Sequence, residues 1–247
     1  MLELAAKLFE AFLQKKFFLK SGDMGYYVII YKRSFLLKFK YYHILEEVFM
    51  RQLVLASTSP YRRELMARLG LPFEVADPDF DETLEQDLSP ELTVKLFSRG
   101  KARSLLKAFP DALIIGSDQV FVNARGAIMG KPGDFETARR QLRGLSGQRS
   151  LFYTGVTVID ASTGRTQTEV VTTAVTFRTL DDDEICFYLR HDQPFDCAGA
   201  SKVEGLGVAL LEKLETDDYT ALIGLPLIRL CHMLESFGVR VLAENTP

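Results

Sequence analysis

Five stretches of the chain carry side chains whose types and spacing suit chemistry on an anion. Leu53 to Gly70, LVLASTSPYRRELMARLG, runs from a short apolar stretch through Ser57, Thr58 and Ser59 into a helix-like pattern opened by Pro60. Ser59 suits the N-cap and Pro60 the first helical position. Leu65, Met66 and Leu69 recur at helical spacing, and Gly70 suits the position just past the end. Arg62 and Arg63 fall in the first turn, where the helix macrodipole disfavours cations. An anion bound there would reverse that conflict, drawing on hydroxyls, amides and two guanidinium forks. A plain surface helix with solvated arginines satisfies the same residues. The second stretch, Ala112 to Val122, ALIIGSDQVFV, places Asp118 where an apolar run is expected to end, a common position for catalytic acids and metal ligands in α/β enzymes. The third, FEVADPDFDET, offers Asp79, Asp81 and Glu82 as hard oxygen ligands for a divalent cation. A solvated acidic turn is the simpler reading. Lys101 in GKARS and Lys131 in MGKP supply further cations, each unremarkable alone.

The elements that must hold these residues read as mixed α/β. Phe73 to Thr83 is predicted to be a strand leading into a loop. Pro90 to Phe109 is predicted to be a helix with Leu92, Val94, Leu96, Leu105 and Leu106 on apolar faces. Asp134 is placed as the N-cap of a helix reaching about Leu145 and ending near Gly147. Leu151–Asp160 and Thr168–Phe177 alternate as an antiparallel hairpin about ASTGR. Asp181 to Arg190 reads as a helix with an acidic first turn, and Val208 to Leu214 as a last strand. Leu222 to Phe237 reads as one amphipathic helix with Pro226 near its start. Asp196 to Gly207, DCAGASKVEGLG, is a Gly-rich loop bearing Lys202 and Glu204, without the strand–GxGxxG–helix context of a dinucleotide fingerprint. One domain with two lobes and a cleft is the expected architecture.

Composition limits the function classes. The 247 residues carry a net charge of −3, so bulk nucleic-acid binding is not indicated and any anion must be held by a local cluster. Cys186, Cys197 and Cys231 show no metal spacing and fit reduced cytosolic thiols. His43, His191 and His232 sit in no recognisable motif. No run reaches the roughly 18 apolar residues of a membrane span. Residues 1–49 differ from the rest: Phe, Tyr, Met, Ile, Asn and Lys make up 25 of the first 50 residues and 33 of the remaining 197. The shift fits translated upstream DNA with Met50 as the true start, leaving 50–247 as the functional domain. An amphipathic anchor (Leu2 to Phe18, then Tyr26 to Tyr42) is the functional alternative.

Taken in order, LASTSPYRRELM, FDET, GKARS, GSDQV, MGKP, FYTG, CAGASKVEGLG and LIGLPL resemble the Maf family of nucleoside triphosphate pyrophosphatases over about Leu53 to Gly238. The resemblance is strongest to the branch that hydrolyses 7-methyl-GTP. It implies a mixed twisted α/β sheet with two lobes around a deep cleft, as in inosine triphosphate pyrophosphatases. It also implies cleavage between the α- and β-phosphates, and a divalent metal (Mg, Mn or Co). Residue by residue, it makes Asp118 the proton acceptor. Ser57, Arg62, Glu82, Lys101 and Lys131 match positions lining the substrate site, with Arg63 adjoining, and Asp118 and Glu82 are the metal candidates. Tyr61, Gln119 and Glu204 match the positions that set base specificity. The implied enzyme is cytoplasmic and acts on a free nucleotide, with no nucleic-acid polymer or membrane as partner; a homodimer is one arrangement open to it. A dTTP/UTP pyrophosphatase of the sister branch and a nucleotide sensor linked to cell division are the competing readings.

Overall fold

The computed structural model describes residues 51–83 and 88–242, and the backbone of two short strands before them. By internal contacts the chain divides into Met1–Met50 with Asn245–Pro247, and Arg51–Glu244. In the first unit, β1 (Phe18–Lys20) pairs antiparallel with β2 (Tyr27–Ile29). The rest of the suggested anchor segment lies outside the described residues.

The second unit is built on a seven-stranded mixed sheet. Its strands are β3 (Leu53–Ala56), β4 (Glu74–Ala76), β5 (Leu113–Val122), β6 (Ile128–Met129), β7 (Arg149–Asp160), β8 (Thr166–Phe177) and β9 (Leu211–Glu215). The order is β4-β3-β5-β7-β8-β9, with β6 paired to the far end of β5. β3 runs parallel to both β4 and β5; the remaining pairs are antiparallel.

Register decides which face each site residue reaches, because side chains alternate along a strand. Leu53, Leu55, Leu113 and Ile115 pack in a cluster with Leu65 and Met66 of α1 (Pro60–Ala67) and Leu230, Met233 and Leu234 of α6 (Leu227–Ser236). Val54, Ala56 and Ile114 face the opposite side, against Ala102 of α2 (Pro90–Ser104). Farther along the face that carries α1, Phe121 and Phe152 pack with α3 (Phe135–Leu145) and α4 (Asp182–Asp192) in a second cluster. These are two separate clusters on one face of the same sheet. The chain passes from one to the other between Leu222 and Leu225.

Several elements differ from the sequence reading. α2 stops at Ser104 rather than Phe109, its last amides turning to i→i+3 bonds from Leu105 to Ala102 and Leu106 to Arg103. Leu92 and Leu96 are exposed; the buried face is Thr93, Val94, Phe97, Ser98, Lys101 and Ala102, which follows the helical period with a lysine in it. β9 begins at Leu211, after a 3-10 turn over Leu206–Leu210. The single helix expected over Leu222–Phe237 is broken into α5 (Thr220–Ile223) and α6. Gly224 at φ +123° leaves the helical region, and Pro226 has no N–H to continue the ladder. Buried Asp218 spans this break. It accepts from the amide and hydroxyl of Thr220 and from the amides of Ile228 (2.7 Å) and Arg229, so it caps α6 across the gap.

Candidate active site

Asp118 is not at a strand end. It sits inside the ten-residue β5, paired to Gly155 of β7. The parallel pairing to β3 stops at Ala56↔Gly116, so Asp118 lies just past the carboxyl end of β3 while still held by β7. A strand end was expected because the apolar run breaks at Gly116 and Ser117; the strand that ends there is the neighbouring β3. This is the carboxyl-end position where open α/β sheets place ligands. Its parity with Ile114 and Gly116 turns the carboxylate toward α2.

α2 is drawn unusually close to the sheet by two strand glycines. A Cβ on Gly116 would run into the backbone of Ser98 and Ala102, and one on Gly155 into the Val94 carbonyl. A glycine inside a strand marks this kind of close backbone approach. The approach brings Lys101, 5% exposed, to the carboxylate: Nζ donates to Asp118 Oδ1 at 2.6 Å. The same nitrogen lies 2.7 Å from Glu82 Oε1. Glu82 comes from the loop after β4, which is fastened to α2 by Phe80: the ring lies on Gly100, where any Cβ would collide with it, and packs edge-on against Phe97. Asp81 does not join. Its carboxylate turns back to the amide (3.0 Å) and hydroxyl of Thr83, an Asx-type local bond.

α1 starts as the sequence implies. Ser59 is the N-cap, accepting from the Arg62 amide, and the Ser57 hydroxyl accepts from the Ser59 amide at 3.1 Å. Ser57 is buried at the mouth of β3. The two arginines separate. Arg62 turns inward, its Nε donating to the Gly224 carbonyl at 2.8 Å, close enough to Asp118 and Glu82 for both to act on its charge. Arg63 points outward beside Glu64, Ala67 and Phe73–Val75, so it does not join the cluster. Neighbours on a helix diverge by about 100°, and only one of them can face the site.

Burial pushes the Asp118 carboxyl above the ordinary carboxylate range, against the opposing pull of Lys101 and Arg62. Burial lowers the Arg62 pKa, partly offset by Asp118 and Glu82. The site therefore holds two cations and two carboxylates, in a protein of net charge −3. A strengthened base beside two anion-binding groups can accept a proton from water as it attacks a phosphate.

A second group gathers around Tyr61, one residue before Arg62. Lys202 Nζ lies 5.9 Å from the Tyr61 ring centroid, within cation–π range. Burial, with Cys197 and Asp196 beside it, pushes the Tyr61 phenol up to about 12. Burial likewise pushes the Cys197 thiol up to about 12, so it is a thiol rather than a thiolate at neutral pH. Glu204 follows Lys202 on the same loop. Desolvation, with Glu64 and Asp196, raises its carboxyl, and Lys202 pulls it down. The Lys202 backbone is pinned: its amide donates to Tyr188 Oη (2.9 Å) and its carbonyl accepts from Gly205 and Gly207. Lys131 is exposed on a loop tied to this side by amide bonds from Gly199 to Gly130 and from Gly133 to Phe195.

Gln119 shares the α1 face of β5. Its amide nitrogen donates to Thr154 Oγ1 (2.9 Å) and to the carbonyls of Ala221 (2.8 Å) and Leu222, so that nitrogen is committed to holding α5. Only the amide oxygen remains for a ligand. Ser117, Thr154 and Gly224 were not anticipated as site residues. Ser117 falls beside the Asp118 singled out from sequence, and its parity with Ile115 was the available signal.

Two carboxylates meeting on one nitrogen form a hard-oxygen pair of the kind that holds a divalent cation together with substrate phosphates. Among the described residues there is no group of three or more His, Cys, Asp or Glu side chains able to form a cage by itself. The donor set fits a metal brought in with a phosphate. No described helix is long and apolar enough to cross a membrane.

The family model described as Maf-like protein matches residues 52–237. The 7-methyl-GTP pyrophosphatase of Syntrophotalea carbinolica is 56% identical over 79% of this chain and 100% of its own. That of Polaromonas sp. is 52% identical over 79% of this chain and 89% of its own. That of Pseudomonas syringae pv. tomato is 50% identical over 78% of this chain and 100% of its own. Among solved structures, the Staphylococcus aureus Ham1 protein aligns at a TM-score of 0.38 and 16% identity, over 52% of this chain and 73% of that one.

Proposed function

Because this chain belongs to the Maf-like family, we propose that it is a nucleoside triphosphate pyrophosphatase that hydrolyses 7-methyl-GTP to 7-methyl-GMP and pyrophosphate. The relatives named above, alike across nearly all of their own length, support the activity and the base. The observation that carries the reading at the level of chemistry is the junction of Lys101 with Asp118 and Glu82, with Arg62 beside it.

Arg62, Lys101 and Lys131 hold the triphosphate, their charges offsetting its three to four negative ones. Asp118 accepts the proton of the water that attacks the α-phosphorus, and its raised pKa makes it a stronger base than a solvated carboxylate. Glu82 keeps part of the Lys101 charge occupied, so Lys101 does not bind Asp118 alone. Asp118 and Glu82 would hold the divalent cation, which supplies charge screening to the phosphates when bound. Tyr61 stacks on the base, Glu204 accepts from the guanine N1–H and N2–H₂ edge, and the oxygen of Gln119 faces the base or sugar. A fixed positive charge on 7-methylguanine favours a site with an aromatic face and a carboxylate. The enzyme works as a cytoplasmic protein on free nucleotide.

The test is product analysis on a nucleotide panel with Mg²⁺, Mn²⁺ and Co²⁺. The reading requires monophosphate and pyrophosphate in equal amounts. Diphosphate and orthophosphate would contradict the bond cleaved, and binding without turnover would make the protein a sensor.

A further inference from the structure

We infer that the Ser117 hydroxyl and the Gly224 carbonyl form a positioning device that aims the Arg62 guanidinium at the substrate phosphates. The inference rests on the reading of Arg62 as a phosphate ligand.

The Gly224 carbonyl accepts two bonds, from Arg62 Nε at 2.8 Å and from Ser117 Oγ at 2.8 Å. A carbonyl oxygen has two lone pairs, so both are engaged. A guanidinium is planar, and fixing its Nε–H fixes the plane of the whole fork. With Nε committed, the two terminal nitrogens form the remaining edge, and the guanidinium as a whole feels the charges of Asp118 and Glu82.

The carbonyl is available because the chain breaks there. α5 is four residues long and ends at Ile223, just before Gly224, and the helix does not resume until Leu227. A continuous helix would consume this oxygen in its own ladder. Gly224 holds φ +123°, and a Cβ added there would lie 3.4 Å from Arg62 Nε and 3.7 Å from Arg62 Cγ. Position 224 is restricted by its backbone angle, while a Cβ there would only touch the Arg62 side chain at ordinary van der Waals distance. The preceding carbonyls are held from the sheet as well, Ala221 by Thr154 Oγ1 (2.9 Å) and by Gln119, and Leu222 by Gln119.

Strand parity connects this device to the reacting group. Asp118 faces α2, while its neighbours Ser117 and Gln119 face the other side and anchor the 221–224 segment. One strand therefore sets the base on one face and, through Gly224, the phosphate ligand from the other. Ser117 Oγ is also 2.8 Å from the Gly155 carbonyl, opposite Asp118 in the β5–β7 ladder, so its single proton is shared between the two oxygens.

The experiment is a double-mutant cycle of Ser117→Ala and Arg62→Ala, read as KM and kcat for 7-methyl-GTP, with thermal unfolding measured on every variant. Freeing one long side chain should raise KM roughly 3- to 10-fold. kcat should stay within roughly twofold, since a phosphate contact common to ground and transition states acts on KM. In the Arg62→Ala background, Ser117→Ala should change KM no further. Equal effects of Ser117→Ala in both backgrounds would overturn the inference and leave Ser117 a packing residue. An Arg62→Ala protein with unchanged KM would instead remove the phosphate reading, and the inference with it. If Ser117→Ala does not fold, Ser117→Cys, which keeps the bulk of the side chain but offers only a weak donor, carries the same expectation and the same refutation in the same cycle.

Discussion

Replacing Asp118 with Asn should abolish turnover without unfolding the protein, and the structure says why both halves follow. Asp118 is 6% exposed and its pKa is raised, with burial outweighing the combined attraction of Lys101 and Arg62. For a carboxylic acid, a folded pKa above the unfolded one means that the folded state binds the proton more readily. Stability then falls as pH rises from the unfolded value through the folded one, and at neutral pH the ionised form is a net cost. Asn removes that cost and keeps an oxygen able to accept from Lys101 Nζ, while Glu82 still holds the ammonium. The melting temperature at pH 7 should therefore be unchanged or higher, the familiar opposition between stability and a strained site. Loss of the base should lower kcat on the order of 10² to 10⁴-fold, about 3–5 kcal/mol of barrier. The assay is steady-state pyrophosphate release at saturating 7-methyl-GTP, beside thermal unfolding of the same preparations. A kcat near the parent value with an intact fold would refute Asp118 as proton acceptor. A clear drop in melting temperature would refute the electrostatic argument even if activity were lost.

Further predictions concern the neighbours of that carboxylate. Arg62→Ala should raise KM for triphosphates far more than it lowers kcat, as checked in initial-rate kinetics. The acid limb of the parent kcat/KM profile should sit above the ordinary carboxylate range, because that profile reports the free enzyme, Asp118 must be ionised to accept a proton and its pKa is raised; a limb at the unperturbed value would contradict the burial argument. Gly116→Ala and Gly155→Ala should each push α2 off the sheet and cost activity together with stability, measured by chemical denaturation, because either Cβ would collide with α2 backbone. Glu204→Gln should selectively weaken use of the methylated base by roughly 1.5–3 kcal/mol, one charge-assisted hydrogen bond, in kcat/KM for 7-methyl-GTP relative to GTP.

Local signals carried the first half of the fold well and the site in part. Ser59 and Pro60, Asp134 and Asp181 all begin helices where their capping chemistry places them. The β7–β8 hairpin follows its alternation. The misplacements occurred where a distant partner overrides the local pattern. Leu92 and Leu96 look like core residues, but α2 turns instead the face carrying Lys101 toward the sheet, because Gly116 and Gly155 admit its backbone there. The apolar stretch after Leu222 reads as one helix, and its break at Gly224 becomes meaningful only with Arg62 on the opposite element. Asp118 was picked out by type, while its place inside β5 depended on where β3 ends. Of the adjacent arginines, only register on α1 could tell Arg62 from Arg63. Gln119, matched to a position that sets base specificity, gives its nitrogen to Thr154 of β7 and to Ala221 and Leu222 of α5, partners far off in the chain.

Competition between substrates shows whether the enzyme hydrolyses 7-methyl-GTP in preference to other nucleotides. Purified protein is given 7-methyl-GTP together with GTP, dTTP or UTP, and the ratio of monophosphate products gives the ratio of kcat/KM. 7-Methyl-GMP should dominate in every pairing, with pyrophosphate released in equal amount. UTP or dTTP used as well as or better than 7-methyl-GTP would contradict it and assign the protein to the sister branch.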